Sequence, residues 1–350
     1  MKKKGPVLTF FTGFTGLLLT VIISFLLVII FIFLLSKEPG KTIYFFFLGA
    51  FTNKYYFGNM LNSAVPLVFT GLGIASAFKS SVFNLGGEGQ VYAGGLITTV
   101  VCLVLPSAGG YAGGIAAVAA AVIAGGLLAG LSGFFRMKWK TDEMISSFLI
   151  SGAVVLFVNY FITGPLDDPN NNLLATYTIG SQYSLLKIFP PSKLNISAVF
   201  SLLTALLVFL FLYKSHWGYE MRMCGLNREF SRYGGINVSR YLVFPMVLSG
   251  ALHGLAGGIS ILGTYGVCLK GFSVGMGWNG IAVALIAKNN PLGVIPAAIF
   301  FAFLEAGAKA AMLHSDVTFE IAAIAQSFIF YLVTAQALYV LVKRQKKVLV

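Results

Sequence analysis

The sequence predicts an all-α, polytopic membrane protein of about ten transmembrane helices, with inverted repeats, broken helices and cytoplasmic N- and C-termini. Three observations predict it. The 350-residue chain is 57% hydrophobic and only 10% charged, with a mean hydropathy of +0.87. Apolar segments of near-spanning length recur along it, and its basic residues collect in alternate connections. A soluble protein is about 45–50% apolar and about 25% charged, and a soluble fold of this size has too little polar surface to cover so much apolar side chain. Composition thus excludes an ordinary soluble enzyme, a disordered chain and a disulfide-built secreted domain.

Residues 1–9 form a basic N-terminal tip, expected to be cytoplasmic. Residues 10–35 are apolar, interrupted mainly by Gly and Thr. A signal-peptide core is about 7–15 residues and a spanning helix about 20. No small-residue cleavage site follows, so this stretch reads as a retained first span. After a polar stretch, 36–59, apolar segments lie at 61–78, 91–106, 111–134, 144–163, 196–213, 241–262, 275–288, 291–308 and 319–342. Segment 275–288 is barely long enough to cross. The transmembrane domain is thus 10–342, followed by a basic cytoplasmic tail, 343–350.

Charge orients the chain. Of 24 basic residues, 17 fall on the inner side if both termini are inside, among them Lys79, Arg136, Arg222, Arg228 and the KRQKK tail. Seven, including Lys54, Lys187 and Lys270, remain outside. This is the bias that retains cytoplasmic loops, so the net charge of +13 is an orientation signal and no nucleic-acid partner is expected. The extracytoplasmic loop, about 164–195, has turn chemistry at both ends and a moderately apolar middle. It either lies on the membrane, caps the outer mouth or merely connects. Gly and Ala cluster at 109–133 and 250–258, where they let helix backbones approach closely. Cys102, Cys224 and Cys268, and His216, His253 and His314, have no metal-ligand spacing.

Two segments interrupt the apolar pattern: FKSSVFNLGGEGQVYAGG at 78–95 and KGFSVGMGWNGIAVA at 270–284. Each follows a span that opens one half of the chain, and those spans run in opposite directions in this topology. Unwound, glycine-rich segments at corresponding places in two halves point to a translocation site. Glu88 at membrane depth must face protein or a water-filled path, so it either lines the path and orders the break, or sits at the inner face among glycine amides. Asn84 and Gln90 can satisfy freed backbone groups. Phe272, Trp278 and Asn279 offer stacking and amide contacts to a planar ring, with interfacial anchoring the alternative for Trp278. Between spans six and seven, about 215–240, Arg222, Arg228, Arg232 and Arg240 alternate with acidic and aromatic residues. Asn227 is placed to N-cap a short helix and Gly234 to end it. This is either a docking helix or an ordinary basic loop.

The stretch FNLGGEGQVYAGGL (83–96) resembles a hallmark of permease subunits of bacterial ABC importers of the ribose/branched-chain amino acid class. TDEMISSFLISGAVVLFVNYFITGPLDDP (141–169), GYEMRMCGLNREFSRYGGINVSR (218–240), LSGALHGLAGG (248–258) and GFSVGMGWNGIAVALIAKNNPLG (271–293) extend the likeness over roughly residues 60–310. It is strongest to nucleoside or simple-sugar permeases served by a Bmp-type binding lipoprotein. GIAVAL followed by NPLG favours the nucleoside-like branch. Gly87, Tyr92 and Cys224 depart from the common pattern.

The resemblance implies a subunit of the bacterial plasma membrane with no enzymatic activity of its own. ATP and Mg would be bound by a partner ABC ATPase with two nucleotide-binding domains, and this chain would bind no cofactor. The chain contains no phosphate-binding G-x-x-x-x-G-K-S/T loop. Further implied partners are a second permease subunit, different or identical, a substrate-binding lipoprotein, membrane lipid and a small neutral substrate. By position, Tyr219, Glu220, Arg222, Asn227 and Tyr233 would couple to the ATPase. Asn84, Glu88, Gln90, Phe272, Trp278 and Asn279 would flank the substrate path. Nucleoside uptake is the expected function, with a ribose- or galactose-like sugar as the alternative and a stand-alone secondary transporter behind it.

Overall fold

The computed structural model describes residues 22–23, 25–105, 110–170 and 172–318, with the single positions 324, 327 and 331. The basic tip, the first half of the span expected at 10–35, nearly all of the span expected at 319–342 and the basic tail lie outside the described residues.

The described chain is helical. Its elements are α1 (Phe25–Leu35), α2 (Pro39–Leu48), α3 (Lys54–Lys79), α4 (Gly87–Val104), α5 (Gly110–Trp139), α6 (Glu143–Ile162), α7 (Ser197–Lys214), α8 (His216–Leu226), α9 (Arg228–Tyr233), α10 (Arg240–Ser260), α11 (Met276–Ile286) and α12 (Pro291–His314). Among the described residues, seven helices are long and apolar enough to cross a membrane: α3, α4, α5, α6, α7, α10 with its extension to Tyr265, and α12. This is an all-α, multi-pass membrane protein.

Two expectations about element bounds change. The stretch 36–59, read as polar, is largely helical: Pro39 starts α2 at a position where a missing N–H costs nothing, and α3 already begins at Lys54. The segment expected to cross at 275–288 contains the 11-residue α11, which at 1.5 Å per residue reaches about 16 Å, half of the roughly 30 Å hydrocarbon core. α11 is a half-helix.

The described residues fall into two compact units, one drawn from the stretches 1–60 and 299–350 and the other from 61–298. In the first, the rings of Phe25 and Phe47 meet edge-on at 5.1 Å, and Phe45 stacks on His314 at 4.5 Å. Asp316, just beyond α12, ties down the start of α2. Its carboxylate accepts from the Ser36 hydroxyl at 2.6 Å and the Lys37 amide at 2.5 Å. These bonds, the hydroxyl foremost, hold the Asp316 carboxyl below its usual range.

In the second unit, α10 packs most extensively on α5 and α4. The contact depends on the small residues singled out in the sequence. A Cβ on Gly250 would meet the Ala129 Cβ at 2.5 Å and the Gly125 carbonyl closer still, so the two backbones pass in direct contact. α3 is mostly buried, with Leu67, Phe69, Leu72 and Ile74 inside. α6 and α7 instead expose apolar side chains such as Leu149, Leu156, Leu203 and Leu207, as lipid-facing helices do.

Segment 164–195 is neither free nor flat. Its middle pairs as an antiparallel ribbon with the chain beyond α10: the Thr176 amide donates to the Cys268 carbonyl at 3.1 Å, Ile179 to Gly266 at 2.9 Å and Lys270 back to Leu174 at 2.9 Å. Leu185 donates to Leu262 at 3.1 Å.

Candidate functional site

α3 ends at Lys79, and the chain leaves the helical path until Gly87 opens α4. Ser81 sits at φ +52°, a left-handed conformation that L-residues other than Gly seldom adopt. A break inside a membrane frees backbone N–H groups that water is not there to satisfy. α6 supplies their partners. The Phe83 amide donates to Glu143 Oε1 at 3.4 Å, Leu85 to Ser147 Oγ at 3.1 Å and Gly89 to Ser151 Oγ at 2.8 Å. Spacing of four residues puts Glu143, Ser147 and Ser151 on one face of the helix. Asp142 N-caps α6 by accepting from the Met144 and Ile145 amides. The buried Glu143 carboxylate is paired with Arg136 at the end of α5.

Asn84 and Gln90 staple the break internally. The Asn84 amide group donates to Gln90 Oε1 at 2.8 Å and to Ser249 Oγ of α10 at 3.0 Å. Its oxygen accepts from Gln90 Nε2 at 3.0 Å and from the Gly86 amide at 2.9 Å. Both side chains are buried. In this conformation they hold the backbone and do not face an opening.

The second break follows α10. Pro245 lies inside that helix, which passes into a π-helical stretch, Ile261–Tyr265, and ends at Gly266 in the left-handed region. Gly271, Val274 and Gly275 also have positive φ before α11 begins at Met276. For a β-branched residue such as Val274 this conformation is a true outlier, and strain of this kind concentrates at functional sites.

Glu88 joins the two breaks. From the first turn of α4, its Oε1 accepts from the Ser273 hydroxyl and, at 3.2 Å, from the Gly275 amide; its Oε2 accepts from the Gly277 amide at 2.9 Å. One carboxylate thus lies at the N-termini of both α4 and α11, where the helix dipoles favour negative charge. One turn along α4, Tyr92 stacks on Phe272 with centroids 5.2 Å apart, and its hydroxyl accepts from the Gly271 amide. Tyr265 meets Phe272 edge-on at 5.8 Å. Phe272 is buried. Trp278 is partly exposed and lies 5.8 Å from the Phe148 ring, while the Asn279 amide continues the helix by donating to Gly275 at 2.8 Å.

His253 lies behind this junction, fully buried. Its Nδ1 is 2.7 Å from the Ser249 carbonyl, which can only accept, so Nδ1 carries the proton. Nε2 has no hydrogen-bond partner and faces Gly87.

The structure therefore gathers Glu88, Phe272 and the start of α11 into one locus, with Asn84 and Gln90 beside it. Sequence reasoning missed Glu143, Ser147, Ser151, Ser249 and Ser273, and passed over Tyr92 except as a departure from pattern. The E-x-x-x-S-x-x-x-S spacing in an otherwise apolar span was a readable signal of a polar stripe.

The segment between α7 and α10 folds into two short helices. Ser215 caps α8 through the Gly218 amide at 3.0 Å, and Asn227 caps α9 through Phe230 at 3.0 Å, with Gly234 at its end as the spacing predicts. That α8 precedes the capped helix was not legible. Glu220 accepts from the Tyr241 hydroxyl, and the Arg222 guanidinium lies 5.0 Å over the Tyr213 ring. Burial pushes the Cys224 thiol up, as expected of an inert, packed cysteine. Tyr219 is half exposed and Tyr233 is 92% exposed, with Phe230 and Leu226 also turned outward.

Among the described residues, no group of three or more His, Cys, Asp or Glu is placed to hold a metal ion.

The sequence profile of the family described as "Branched-chain amino acid transport system / permease component" matches residues 56–338. The chain belongs to that family. It is a non-catalytic transport subunit, embedded in the plasma membrane, of a system whose ATPase is a separate chain. This permease is 36% identical over 307 residues to the probable riboflavin import permease protein RfuC of Treponema pallidum, covering 87% of this chain and 81% of that one. It is 31% identical over 290 residues to the guanosine ABC transporter permease protein NupP of Bacillus subtilis, covering 82% and 83%. It is 25% identical over 317 residues to the glucose ABC transporter permease protein TsgB13 of Haloferax volcanii, covering 86% and 82%. No solved structure matches the permease.

Proposed function

We propose that this permease forms part of the membrane path for import of a small, neutral substrate carrying a flat heteroaromatic ring, a nucleoside in the first instance. The observation that carries this reading is the junction of the two broken segments. Glu88 bridges them, and the aromatic residues Tyr92, Phe272 and Tyr265 line up beside it. Half-helix N-termini around a membrane-depth locus are how several transporter folds build a substrate site. Stacking on aromatic faces suits a planar ring. The scarcity of acidic residues, 11 in all, suits an uncharged one. The permease of guanosine at 31% identity supports the nucleoside reading. The riboflavin permease at 36% identity favours a second one, in which the flat ring is an isoalloxazine.

In this reading about ten segments cross, the one holding α11 completing its passage with the extended chain before Met276, both termini are cytoplasmic and the two breaks belong to inverted repeats. α8 and α9 face the cytoplasm and dock an ATPase with two nucleotide-binding domains through Tyr219, Glu220, Arg222, Asn227 and Tyr233. Tyr219 and Tyr233 make the contact, while Glu220, Arg222 and Asn227 hold the docking surface in shape. A second permease subunit completes the path, and a binding lipoprotein delivers substrate at the 164–195 side. ATP binding opens the path outward; hydrolysis resets it inward.

Competition for uptake into proteoliposomes holding the whole complex tests the substrate. Guanosine, uridine or riboflavin should compete, and glucose and ribose should not. Competition by sugars alone would replace this reading with the sugar alternative, and uptake by this chain without any ATPase would remove the importer reading altogether.

A further inference from the structure

We infer that the turn joining α3 to α4, residues Lys79–Val82, is a rigid joint that carries motion of α8 and α9 into the Glu88 junction. This rests on the reading of α8 and α9 as the ATPase-docking element, and adds where the motion goes next. Three hydrogen bonds cross between the turn and the two helices, and they run in both directions. The Ser80 hydroxyl donates to the Met221 carbonyl at 3.1 Å, and the Ser81 hydroxyl to the Gly225 carbonyl at 2.7 Å. Arg228, the first residue of α9, returns a bond from Nη2 to the Ser81 carbonyl at 2.8 Å. The Gly225 carbonyl belongs to the last turn of α8, whose acceptors lack intrahelical partners, so Ser81 closes that helix end.

The contact is between backbones. A Cβ on Gly225 would sit 2.9 Å from the Ser80 Cα and closer still to the Lys79 carbonyl. A shift of α8 is therefore passed to the turn directly and not absorbed in a flexible side chain. Ser81 is held in its left-handed conformation by bonds on both its hydroxyl, to α8, and its carbonyl, from α9, so its geometry is fixed by both helices. Seven residues later in the chain stands Glu88, and the residues between are pinned at Asn84 to Ser249 and at Leu85 to Ser147. Ser81 and Arg228 act through this chain as positioning residues; neither touches the substrate locus.

The experiment uses the complete importer with its ATPase, trapped with ATP and vanadate, and reads hydrogen exchange at the Gly275 and Gly277 amides. Trapping should change exchange there about tenfold in the unmodified complex, and S81G with R228Q together should abolish that change while the ATPase stays bound. The two single variants should each give most of the loss, and the double little more, because one joint is being cut twice. An unaltered response in the double variant, or no response in the parent complex, would overturn the joint. Loss of ATPase binding in the variant would overturn it too, by making Arg228 a docking residue. A parent chain that never binds an ATPase would instead fail the docking reading, so the two failures are separate. A cross-link supplies a second arm independent of the variants' stability. S81C with R228C, in a chain lacking Cys102, Cys224 and Cys268, lacks both side-chain donors of the joint and should lose uptake per ATP when unbridged, and recover it when the two thiols are alkylated by a short bis-maleimide; a bridged chain that stays uncoupled refutes the joint.

Discussion

Replacing Glu88 by Gln tests the junction most directly, because it changes the charge and one hydrogen-bonding atom while keeping the shape. The carboxylate accepts three bonds from residues 273–277. In E88Q one oxygen survives and can keep Ser273 and Gly275. The other atom becomes an NH₂ donor facing the Gly277 N–H, which it cannot satisfy. A bond to a charged group contributes about 1.5–3 kcal/mol and a neutral one about 0.5–1.5, and an unmet buried donor costs about 1–3. Two weakened bonds and one orphaned amide therefore amount to roughly 3 kcal/mol of lost attachment between α4 and α11. Since 1.4 kcal/mol is tenfold, exchange at the Gly275 and Gly277 amides should accelerate about a hundredfold. Hydrogen exchange resolved on the peptide covering 271–279, in the assembled complex, measures it. Uptake should fall in parallel. Acceleration of less than about threefold at both amides would refute the claim that this carboxylate holds the half-helix in place.

Other outcomes follow from the same geometry. Y233A, at a side chain 92% exposed, should leave membrane insertion untouched but weaken association with the ATPase by about thirtyfold if it is a contact centre; wild-type co-purification would remove it from the surface. E143A strips the partner from Arg136 and the acceptor from Phe83, and should destabilise the chain by about 3 kcal/mol, the low end of the range because Arg136 is a quarter exposed. The double replacement R136M/E143L should recover the part of the lost melting temperature that comes from leaving Arg136 unpaired, the Phe83 amide staying unmet in both variants; no recovery at all would mean that the loss lies in the Phe83 contact and not in the ion pair. The Asp316 contact to Ser36 and Lys37 has a defined pH sign. A carboxyl whose folded pKa is depressed stabilises above its unfolded pKa, about 3.9, and loses that contribution as pH falls through the folded value. D316N should flatten the acid limb of the melting profile below about pH 4, and an unchanged limb would show that other carboxyls dominate.

Much of the Glu88 junction was legible because it violates its surroundings. Glu88, Asn84 and the glycines stand out in apolar sequence, and a break in a membrane helix has to be marked by residues able to satisfy backbone groups. The partners of that break were harder to see. Ser147 and Ser151 are small enough to pass as ordinary helix residues in an apolar run, and only their registration with Glu143 reveals a stripe. α8 was missed for a different reason. HWGYEMRMCGL has no apolar periodicity, since its inward face is defined by Gly218, Met221 and Cys224 and its backbone approaches the α3–α4 turn. α2 was hidden because 36–59 reads whole as a polar stretch, although Pro39 can open a helix at its first position. No local pattern could have joined Glu88 to Ser273, since a bond between residues 185 apart is a property of the packed fold.

The ribbon between 174–179 and 266–270 has a consequence for how this surface can change over generations. Apart from the Thr176 hydroxyl, which accepts from the Cys268 amide at 3.1 Å, its cohesion comes from main-chain groups, and every residue but proline carries both the donor and the acceptor. Ala175 and Thr176 point inward and are constrained, whereas the side chains of Leu174 and Tyr177 face outward, and Leu174 joins the pairing only through its main-chain carbonyl. That rim is free to drift in sequence, acquiring new lettering for whatever approaches it, while the strand behind it keeps Phe272 where it stands.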